Sequence, residues 1–327
     1  MSVFLYAGQG SQFVGMGKDL AEAYPEFRAL AREAELDFDA LGLMGEGPAE
    51  TLSDTRYTQP CMALFAAGVT EVLRRHGITP EAACGLSLGE YGALYAAGVW
   101  DPRTYIRLVA FRGAVMAEAA RGKSYVMSAV INAEEERVEA ICAGVREAHA
   151  VPAAGDPLEG GREERFVYPV NLNCPGQIVI CGDGDSVEEA ETLLKEEARV
   201  RITRLKTTSP FHTFLMEPAG RALREKLAAV PFHRPGIPVA MNVTGRLLTE
   251  EEDIPELLAE QVCRPVRFGD DLKTLLSEGA EDFIEIGPGS VLAGLCKKTA
   301  RAMGKKVSIR SIQTAEDLSA VIGEARR

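Results

Sequence analysis

The stretch "CGLSLGEYGALYAAGVW", residues 84–100, places Ser87 between two glycines in the pattern Gly-x-Ser-x-Gly. A short apolar run at residues 82–84 precedes the pattern, and residues that favour helices follow it. A strand, a sharp turn and a helix in this order form a nucleophile elbow, in which small flanking residues let the chain turn and expose a serine hydroxyl. The other interpretation is a plain strand-to-helix turn with Ser87 capping the helix, and the motif alone leaves both open.

Strands and helices alternate on both sides of this elbow. A strand is expected at residues 3–6, followed by the glycine-rich turn "GQGSQFVGMG" at residues 8–17, helices up to His76 and a helix over residues 102–120. Beyond residue 210 the alternation returns, with "PVAMNV" (238–243) and "DFIEIG" (282–287) expected to be short buried strands. The pattern predicts an α/β fold.

Residues 124–206 interrupt this alternation with an order of their own. Strands are expected at 124–131, 165–173, 177–182 and 199–206, and helices at 133–148 and 186–198. The resulting β-α-β-β-α-β order is typical of a split-βαβ or ferredoxin-like unit inserted into a larger one. The glycine-rich "AAGDPLEGGREE", residues 153–164, is expected to be an exposed loop within the insert.

Composition excludes several classes of protein. The chain has 327 residues, 46% of them hydrophobic, which is enough for a substantial core, and its net charge of -12 argues against a nucleic-acid or anionic-membrane surface. Seven cysteines are scattered without the spacing of a zinc site or a disulfide framework, which favours a reducing compartment. The N-terminus lacks the features of a signal peptide, and no apolar run approaches the length of a membrane span. We therefore expect a soluble cytoplasmic protein without a metal.

A serine nucleophile needs a base, and the chain offers four histidines. His76 ends a basic helical stretch, His149 lies beside the loop of the insert, and His233 precedes a surface segment rich in proline. His212, in "SPFHTFLMEPAG", lies where the chain returns from the insert to an amphipathic helix, and a cleft between the two units is expected there. His212 is the favoured partner of Ser87, and no acidic third member can be singled out from the sequence.

Seven motifs together resemble the malonyl-CoA:acyl-carrier-protein transacylase family over essentially the whole chain. They are "GQGSQFVGMG" (8–17), "GLSLGEY" (85–91), "FRGAVM" (111–116), "PVNLNCPGQIVICG" (169–182), "SPFHTFLMEPA" (209–219), "CRPVRF" (263–268) and "EIGPGSVLAGL" (285–295). The resemblance implies an α/β-hydrolase-like catalytic subdomain formed by residues 1–123 and 207–327, with residues 124–206 as a ferredoxin-like inserted subdomain. It also implies transfer of malonyl from coenzyme A to the phosphopantetheine thiol of an acyl carrier protein, by a monomer that needs no cofactor.

The resemblance also assigns roles to residues of this sequence. It implies Ser87 as the nucleophile, His212 as its base, and the main-chain carbonyl of Gln261 in place of the missing acid. The main-chain N–H groups of Gln9 and Leu88 would form an oxyanion hole.

Substrate-binding roles are implied for four further side chains. Arg112 would bind the free carboxylate of malonyl, because a guanidinium matches a carboxylate at two points. Met116, Asn173 and Phe211 would line the substrate site, and the phenylalanine beside the base resembles malonyl-selective members of the family.

Two positions depart from the family pattern: Leu86 replaces a common histidine and Ala7 a common proline. Neither change removes a reacting group, although Leu86 leaves the acyl preference open. The loop at residues 154–166 is longer than expected.

Two other functions stay open at this point. One is a stand-alone acyltransferase that serves a polyketide or polyunsaturated-lipid synthase, which the sequence separates poorly from an enzyme of fatty-acid synthesis. The other is a serine hydrolase that removes acyl groups from carriers, and such an enzyme is expected to lack the carboxylate-binding arginine that this chain retains at position 112.

Overall fold

A computed structural model of the chain describes residues 1–122, 125–149, 165–206 and 209–326. The strands in these ranges, numbered in chain order, are β1 Ser2–Tyr6, β2 Ala82–Gly85, β3 Val126–Ile131, β4 Val167–Cys174, β5 Gln177–Gly182, β6 Arg201–Arg204, β7 Ala240–Met241, β8 Arg246–Leu247, β9 Asp282–Ile286 and β10 Ser308–Ile312. The helices are α1 Lys18–Ala23, α2 Pro25–Ala34, α3 Ala40–Glu46, α4 Ala49–Ser53, α5 Thr55–Arg75, α6 Leu88–Ala96, α7 Pro102–Ala120, α8 Glu135–Ala148, α9 Gly184–Lys195, α10 Glu217–Ala228, α11 Ile254–Gln261, α12 Phe268–Ser277, α13 Val291–Ala302 and α14 Ala315–Ala325. The protein is a mixed α/β structure, as the sequence predicts.

One sheet carries the serine motif. Its strands lie in the order β10-β9-β1-β2, and every neighbouring pair is parallel. The strands β1 and β2 are almost entirely buried because helices cover both faces of a parallel sheet. Tyr6, the last residue of β1, pairs with Gly85, the last residue of β2. The loop that contains Gln9 and the turn that contains Ser87 therefore leave adjacent strands at the same edge of the sheet.

A second sheet is antiparallel and has the order β4-β5-β3-β6. Its chain order, β3-α8-β4-β5-α9-β6, is the predicted β-α-β-β-α-β sequence of elements, and α8 and α9 pack against one face. The predicted apolar stripe of α8, formed by Val138, Ile141, Cys142 and Val145, is buried there. Reciprocal main-chain hydrogen bonds of Val266 with Val170 and Leu172 tie this sheet to the segment before α12.

Most predicted elements are present close to their expected positions, and α7 has the predicted bounds. The strand expected at 238–243 is much shorter, because the chain turns directly after Met241: the main-chain N–H groups of Thr244 and Gly245 both donate to the main-chain oxygen of Met241, and β8 follows as the antiparallel partner of β7. The loop expected at 153–164, and most of the long segment 154–166, lie outside the described residues, as does the first residue of the strand expected at 124–131. No helix in the described ranges is both long enough and apolar enough to cross a membrane.

The two glycines of the serine motif are required by close packing at the start of α6. A Cβ on Gly89 would lie 2.0 Å from the main-chain oxygen of Tyr6, and a Cβ on Gly85 would lie 2.0 Å from the carbonyl carbon of Gly89. Any side chain at either position would push α6 away from β1 and β2. The glycines therefore bring the first turn of α6 directly against the edge of the sheet.

This packing predicts that Gly89→Ala lowers the free energy of unfolding by about 1–3 kcal/mol, the usual cost of overpacking a close contact. Gly144→Ala is the matched control, since Gly144 lies in α8 with open space around its Cβ position. That substitution is expected to stabilise the protein by about 0.5–1 kcal/mol through helix propensity. Denaturant unfolding of both variants measures the difference, and equal shifts would contradict the packing argument.

Candidate active site

Ser87 occupies a strained turn between β2 and α6. Its φ of 53° and ψ of −103° lie outside the main regions that L-residues occupy, a conformation that costs about 1–3 kcal/mol. Ser87 occupies the N-cap position of α6, but its side chain makes no capping hydrogen bond to the helix, so the hydroxyl does not serve as a plain helix cap. The turn instead presents the hydroxyl to side chains from other parts of the chain.

The Ser87 hydroxyl contacts one imidazole and one guanidinium. Its Oγ lies 2.9 Å from Nε2 of His212 and accepts a hydrogen bond of 3.2 Å from Nη2 of Arg112. A guanidinium can only donate, so the hydroxyl proton remains free to be donated to the imidazole. The arrangement brings together the three side chains to which the sequence analysis gave the main chemical roles.

His212 is held as a neutral base. The residue is 5% exposed, and its Nδ1 lies 2.8 Å from the main-chain oxygen of Gln261. Because a carbonyl oxygen only accepts hydrogen bonds, Nδ1 carries the proton and Nε2 offers its lone pair to Ser87. Burial lowers the pKa of His212 to about 4; the hydrogen bond to Gln261 opposes this shift, and the charge of Arg112 adds to it. The imidazole is therefore uncharged at neutral pH.

Arg112, on α7, is a buried cation surrounded by neutral acceptors. It is 1% exposed, and it donates to Oε1 of Gln59 at 2.9 Å and to Oε1 of Gln261 at 2.9 Å, in addition to Ser87. Its Nε has no hydrogen-bond partner among the described residues, and its guanidinium lies 5.4 Å from the ring centre of Tyr91. Burial lowers the pKa of Arg112, because the charge is removed from water. A buried guanidinium without a contacting carboxylate favours an incoming anion.

Gln9 and Leu88 flank the serine at the sheet edge. Leu88 begins α6 immediately after Ser87, and Gln9 lies in the loop after β1, where its side chain donates to Oγ1 of Thr55 at 2.9 Å. No hydrogen bond within the described ranges uses the main-chain N–H of either residue. Two donors of this kind beside a serine are suited to hold a negatively charged oxygen.

The remaining predicted substrate residues lie at different distances from this centre. Met116 is one turn along α7 from Arg112, and its sulfur lies 3.5 Å from Nε2 of Gln59. Phe211 is buried directly before His212. Asn173 is 8% exposed on β4 with its Oδ1 unpartnered among the described residues, and no hydrogen bond found there joins it to the serine or the arginine. Met116 and Phe211 therefore lie close to Arg112 and His212, whereas no hydrogen bond among the described residues connects Asn173 to the site.

The other three histidines lie elsewhere. His76 ends α5, His149 contacts Glu189 at 2.7 Å, and His233 is exposed with its main-chain N–H bonded to Val99. Among the described residues, no hydrogen bond joins any of these three histidines to Ser87, His212 or Arg112.

Four buried polar residues around the site were not identified from the sequence: Gln59, Glu90, Asn242 and Asp271. Glu90 directly follows the serine motif and was indistinguishable from a surface acid at the start of a helix. Asn242 lies within an apolar strand pattern, which does not show whether its amide is buried. Gln59 and Asp271 likewise stand in sequences that give no signal of a buried polar group.

The described ranges contain no group of three or more histidine, cysteine, aspartate and glutamate side chains arranged to hold a metal ion. Each of the seven cysteines is a free thiol, and all but Cys263 are buried.

Comparison with known proteins gives one consistent family. The family model described as "Acyl transferase domain" matches residues 3–323 of this chain. A protein of Bacillus subtilis named malonyl CoA-acyl carrier protein transacylase is 39% identical over 96% of this chain and 94% of its own length.

Solved structures agree with the sequence relatives. MCAT from Streptococcus pneumoniae superposes with a TM-score of 0.87 at 36% identity, covering 99% of this chain and 100% of that one. A malonyl-transacylase, PlMCAT, solved in complex with its type II PKS acyl-carrier protein AntF, superposes with a TM-score of 0.87 at 32% identity, covering 99% of each chain.

The low pKa of His212 predicts an unusual pH dependence for the reactivity of Ser87. A base is active when neutral, so a group whose pKa is lowered to about 4 keeps its activity as the pH falls until that value is approached. Ser87 is expected to react with a fluorophosphonate probe at pH 5.5 at more than about half its rate at pH 7.5, whereas an ordinary histidine of pKa about 6.5 would leave about a tenth.

The rate of probe incorporation, followed by mass spectrometry from pH 4 to 8, measures this profile. Loss of half the rate near pH 6.5 would contradict the assignment of a buried neutral base. The His212→Ala variant is the control, since its slow reaction should show no step in this range.

Proposed function

The chain belongs to the acyl transferase domain family, and we propose that it transfers the malonyl group of malonyl-CoA to the phosphopantetheine thiol of an acyl carrier protein in fatty-acid synthesis. The observation that supports an acyl group with a free carboxylate is the buried guanidinium of Arg112. It lies 3.2 Å from the Ser87 hydroxyl and has only neutral hydrogen-bond acceptors among the described residues. A malonyl group attached to Ser87 places a carboxylate a few bonds from the ester carbon. Its negative charge would compensate that of the arginine.

The first half-reaction forms an ester on Ser87. His212 takes the hydroxyl proton through Nε2 while Oγ attacks the thioester carbonyl, and the resulting oxyanion is stabilised by the main-chain N–H groups of Gln9 and Leu88. Collapse of the tetrahedral intermediate breaks the carbon–sulfur bond, and His212 returns its proton to the departing thiolate of coenzyme A. Malonyl-Ser87 and free coenzyme A remain.

The second half-reaction runs the same steps in reverse. The thiol of the carrier protein loses its proton to His212 and attacks the ester carbonyl, and the serine leaves with that proton. The scheme is ping-pong, and it needs neither a metal nor a redox cofactor, because acid–base chemistry and two hydrogen-bond donors account for every step. Water must be disfavoured as a nucleophile, since it would hydrolyse the ester.

The carbonyl of Gln261 suits the base in this reaction. It orients the imidazole and stabilises the transient imidazolium as a dipole, without adding a fixed negative charge near the carboxylate of the substrate. Arg112 raises the cost of protonating His212, and a bound malonyl carboxylate would offset that cost. We infer that the dyad is matched to an acyl group that itself carries a negative charge.

We further propose the division of the chain into an α/β-hydrolase-like catalytic subdomain, residues 1–123 and 207–327, and a ferredoxin-like insert, residues 124–206. The parallel order β10-β9-β1-β2 with the serine turn after β2 supports the first, and the antiparallel order β4-β5-β3-β6 supports the second. Met116 and Phe211 are proposed to contact the acyl group and Asn173 to order the cleft from the insert. The monomeric state and the cytoplasmic location stay predictions.

The nucleophile is tested by incubation with malonyl-CoA in the absence of carrier protein. The wild type is expected to gain one malonyl group, mapped to Ser87, because no carrier thiol is present to accept the malonyl group from the ester. Ser87→Ala should gain none, and His212→Ala should react slower by several orders of magnitude. His233→Ala is the control histidine and should label at a near-normal rate. Intact-mass measurement follows each reaction, and labelling of a cysteine would overturn the assignment.

The role of Arg112 in binding the malonyl carboxylate is tested by comparing the transfer of malonyl with the transfer of acetyl. Arg112→Ala is expected to lower kcat/KM for malonyl transfer by about 30- to 1000-fold, or about 2–4 kcal/mol, because the substrate carboxylate loses its buried partner. The slow transfer of acetyl, which has no carboxylate, should persist or rise. Arg107→Ala is the matched control, since Arg107 is exposed on the same helix and pairs with Glu35. An equal fall for both acyl groups would show that Arg112 does not bind the malonyl carboxylate.

A further inference from the structure

We propose that Asn242 is a positioning residue that holds the backbone of Ser87 in its strained, reactive conformation. The inference rests on the proposed function for its kinetic test, but its structural basis lies behind the serine rather than in the substrate site. Asn242 follows β7 and is fully buried. It is separated from Ser87 by 155 positions in the chain, and it reaches the turn by its side chain.

The amide of Asn242 bridges the two ends of the turn. Its Oδ1 accepts from the main-chain N–H of Ser87 at 2.7 Å, and its Nδ2 donates to the main-chain oxygen of Gly85 at 2.8 Å. One planar group therefore bonds to the peptide units on both sides of Leu86. This satisfies two main-chain groups that the sharp turn removes from any strand ladder or helix.

Asp271 sets the direction of this amide. The second proton on Nδ2 of Asn242 is donated to Oδ2 of Asp271 at 2.7 Å, so both amide protons are used and Oδ1 is the atom that faces Ser87. Asp271 is fully buried on α12, and burial raises its pKa well above the usual range. With the amide turned over, its N–H would oppose the N–H of Ser87, so the observed orientation is strongly favoured.

The hydrogen bonds of Asn242 to Ser87, Gly85 and Asp271 form a clamp on the turn, and Glu90 connects this clamp to the residue that orients His212. It accepts from the main-chain N–H of Asn242 and, through Oε1, from Nε2 of Gln261 at 2.9 Å. The same Nε2 also donates to the main-chain oxygen of Ser87 at 2.9 Å, while the main-chain oxygen of Gln261 orients His212. The side chains of Asn242 and Gln261 thus bind the two main-chain polar groups of Ser87, and both residues donate to the carboxyl group of Glu90, Asn242 through its main-chain N–H and Gln261 through its side chain.

The expected effect of this clamp is on the chemical step rather than on substrate binding. Ser87 has a positive φ, which is disfavoured for a serine unless its surroundings hold it. Without the bridge the turn can relax, which moves Oγ away from Nε2 of His212. Displacement of a reacting atom by about 1 Å costs on the order of 100-fold in rate. Arg112 makes no hydrogen bond to Asn242, so the carboxylate site should survive.

The experiment compares Asn242→Ala with Met241→Ala, a control that truncates a fully buried side chain one residue earlier. Single-turnover acylation by malonyl-CoA gives a limiting rate and a half-saturating concentration for each folded variant. Asn242→Ala is expected to lower the limiting rate about 100-fold and change the half-saturating concentration by less than about threefold. Met241→Ala should stay within about threefold of the wild type in both. Equal kinetic losses in the two variants would overturn the proposal.

A fluorophosphonate probe separates failure of this inference from failure of the proposed function. The probe reacts with an activated serine without needing a malonyl carboxylate, so it should lose reactivity in Asn242→Ala and keep it in Met241→Ala. If malonyl-CoA fails to acylate the wild type while the probe shows this difference, the proposed function is wrong and the role of Asn242 stands. If the probe reacts equally with both variants, Asn242 has no positioning role.

A paired substitution covers the case in which Asn242→Ala does not fold. Asn242→Asp keeps the acceptor for Ser87 but places two carboxyl groups together, and it should slow acylation strongly. Adding Asp271→Asn supplies an N–H donor to the new carboxylate and should recover at least about tenfold of the lost rate. The absence of any recovery, with both variants folded by circular dichroism, would contradict the proposed contact.

Discussion

The strained turn at Ser87 is the constraint around which the site is built. A residue with φ 53° and ψ −103° persists only where its neighbours hold it, and here α6 is pressed against β1 through two glycines while Asn242 and Gln261 bind the serine backbone. The same contacts bring in the rest of the site. The side chain of Gln261 holds the serine, and its main-chain oxygen orients His212.

Electrostatics decide what this site can accept. A buried imidazole whose pKa is lowered to about 4 and a buried guanidinium with neutral partners leave the centre with positive charge and a neutral base. Glu90 lies within the same buried network, and burial raises its pKa to about 8, so at neutral pH this carboxyl group offers little compensation. An acyl group with its own carboxylate completes the charge balance of the centre, which an uncharged acyl group cannot do.

Much of the fold was predictable because its signals are local. Apolar periodicity, together with the glycine and proline residues that mark the ends of elements, predicts the bounds of α7, the order of elements from β3 to β6 and the strand before Ser87. The strand expected at 238–243 was overestimated, because a turn over residues 242–245 leads the chain into β8, and the N–H of Asn242 within this turn is bound by Glu90, a residue 152 positions away. Periodicity carries no information about such a partner.

The sequence by itself determined the serine motif, the choice of His212 among four histidines, and the family resemblance that singled out Arg112. Only the tertiary structure decided that these three side chains meet at hydrogen-bond distance and that Glu90, Asn242 and Asp271 form a buried polar network behind them. The physical reason is that reactivity here depends on burial and on bond direction between distant segments. An acid near the start of a helix, such as Glu90, or an amide at the end of a strand, such as Asn242, gives the same sequence pattern whether it is exposed to water or buried against a catalytic turn.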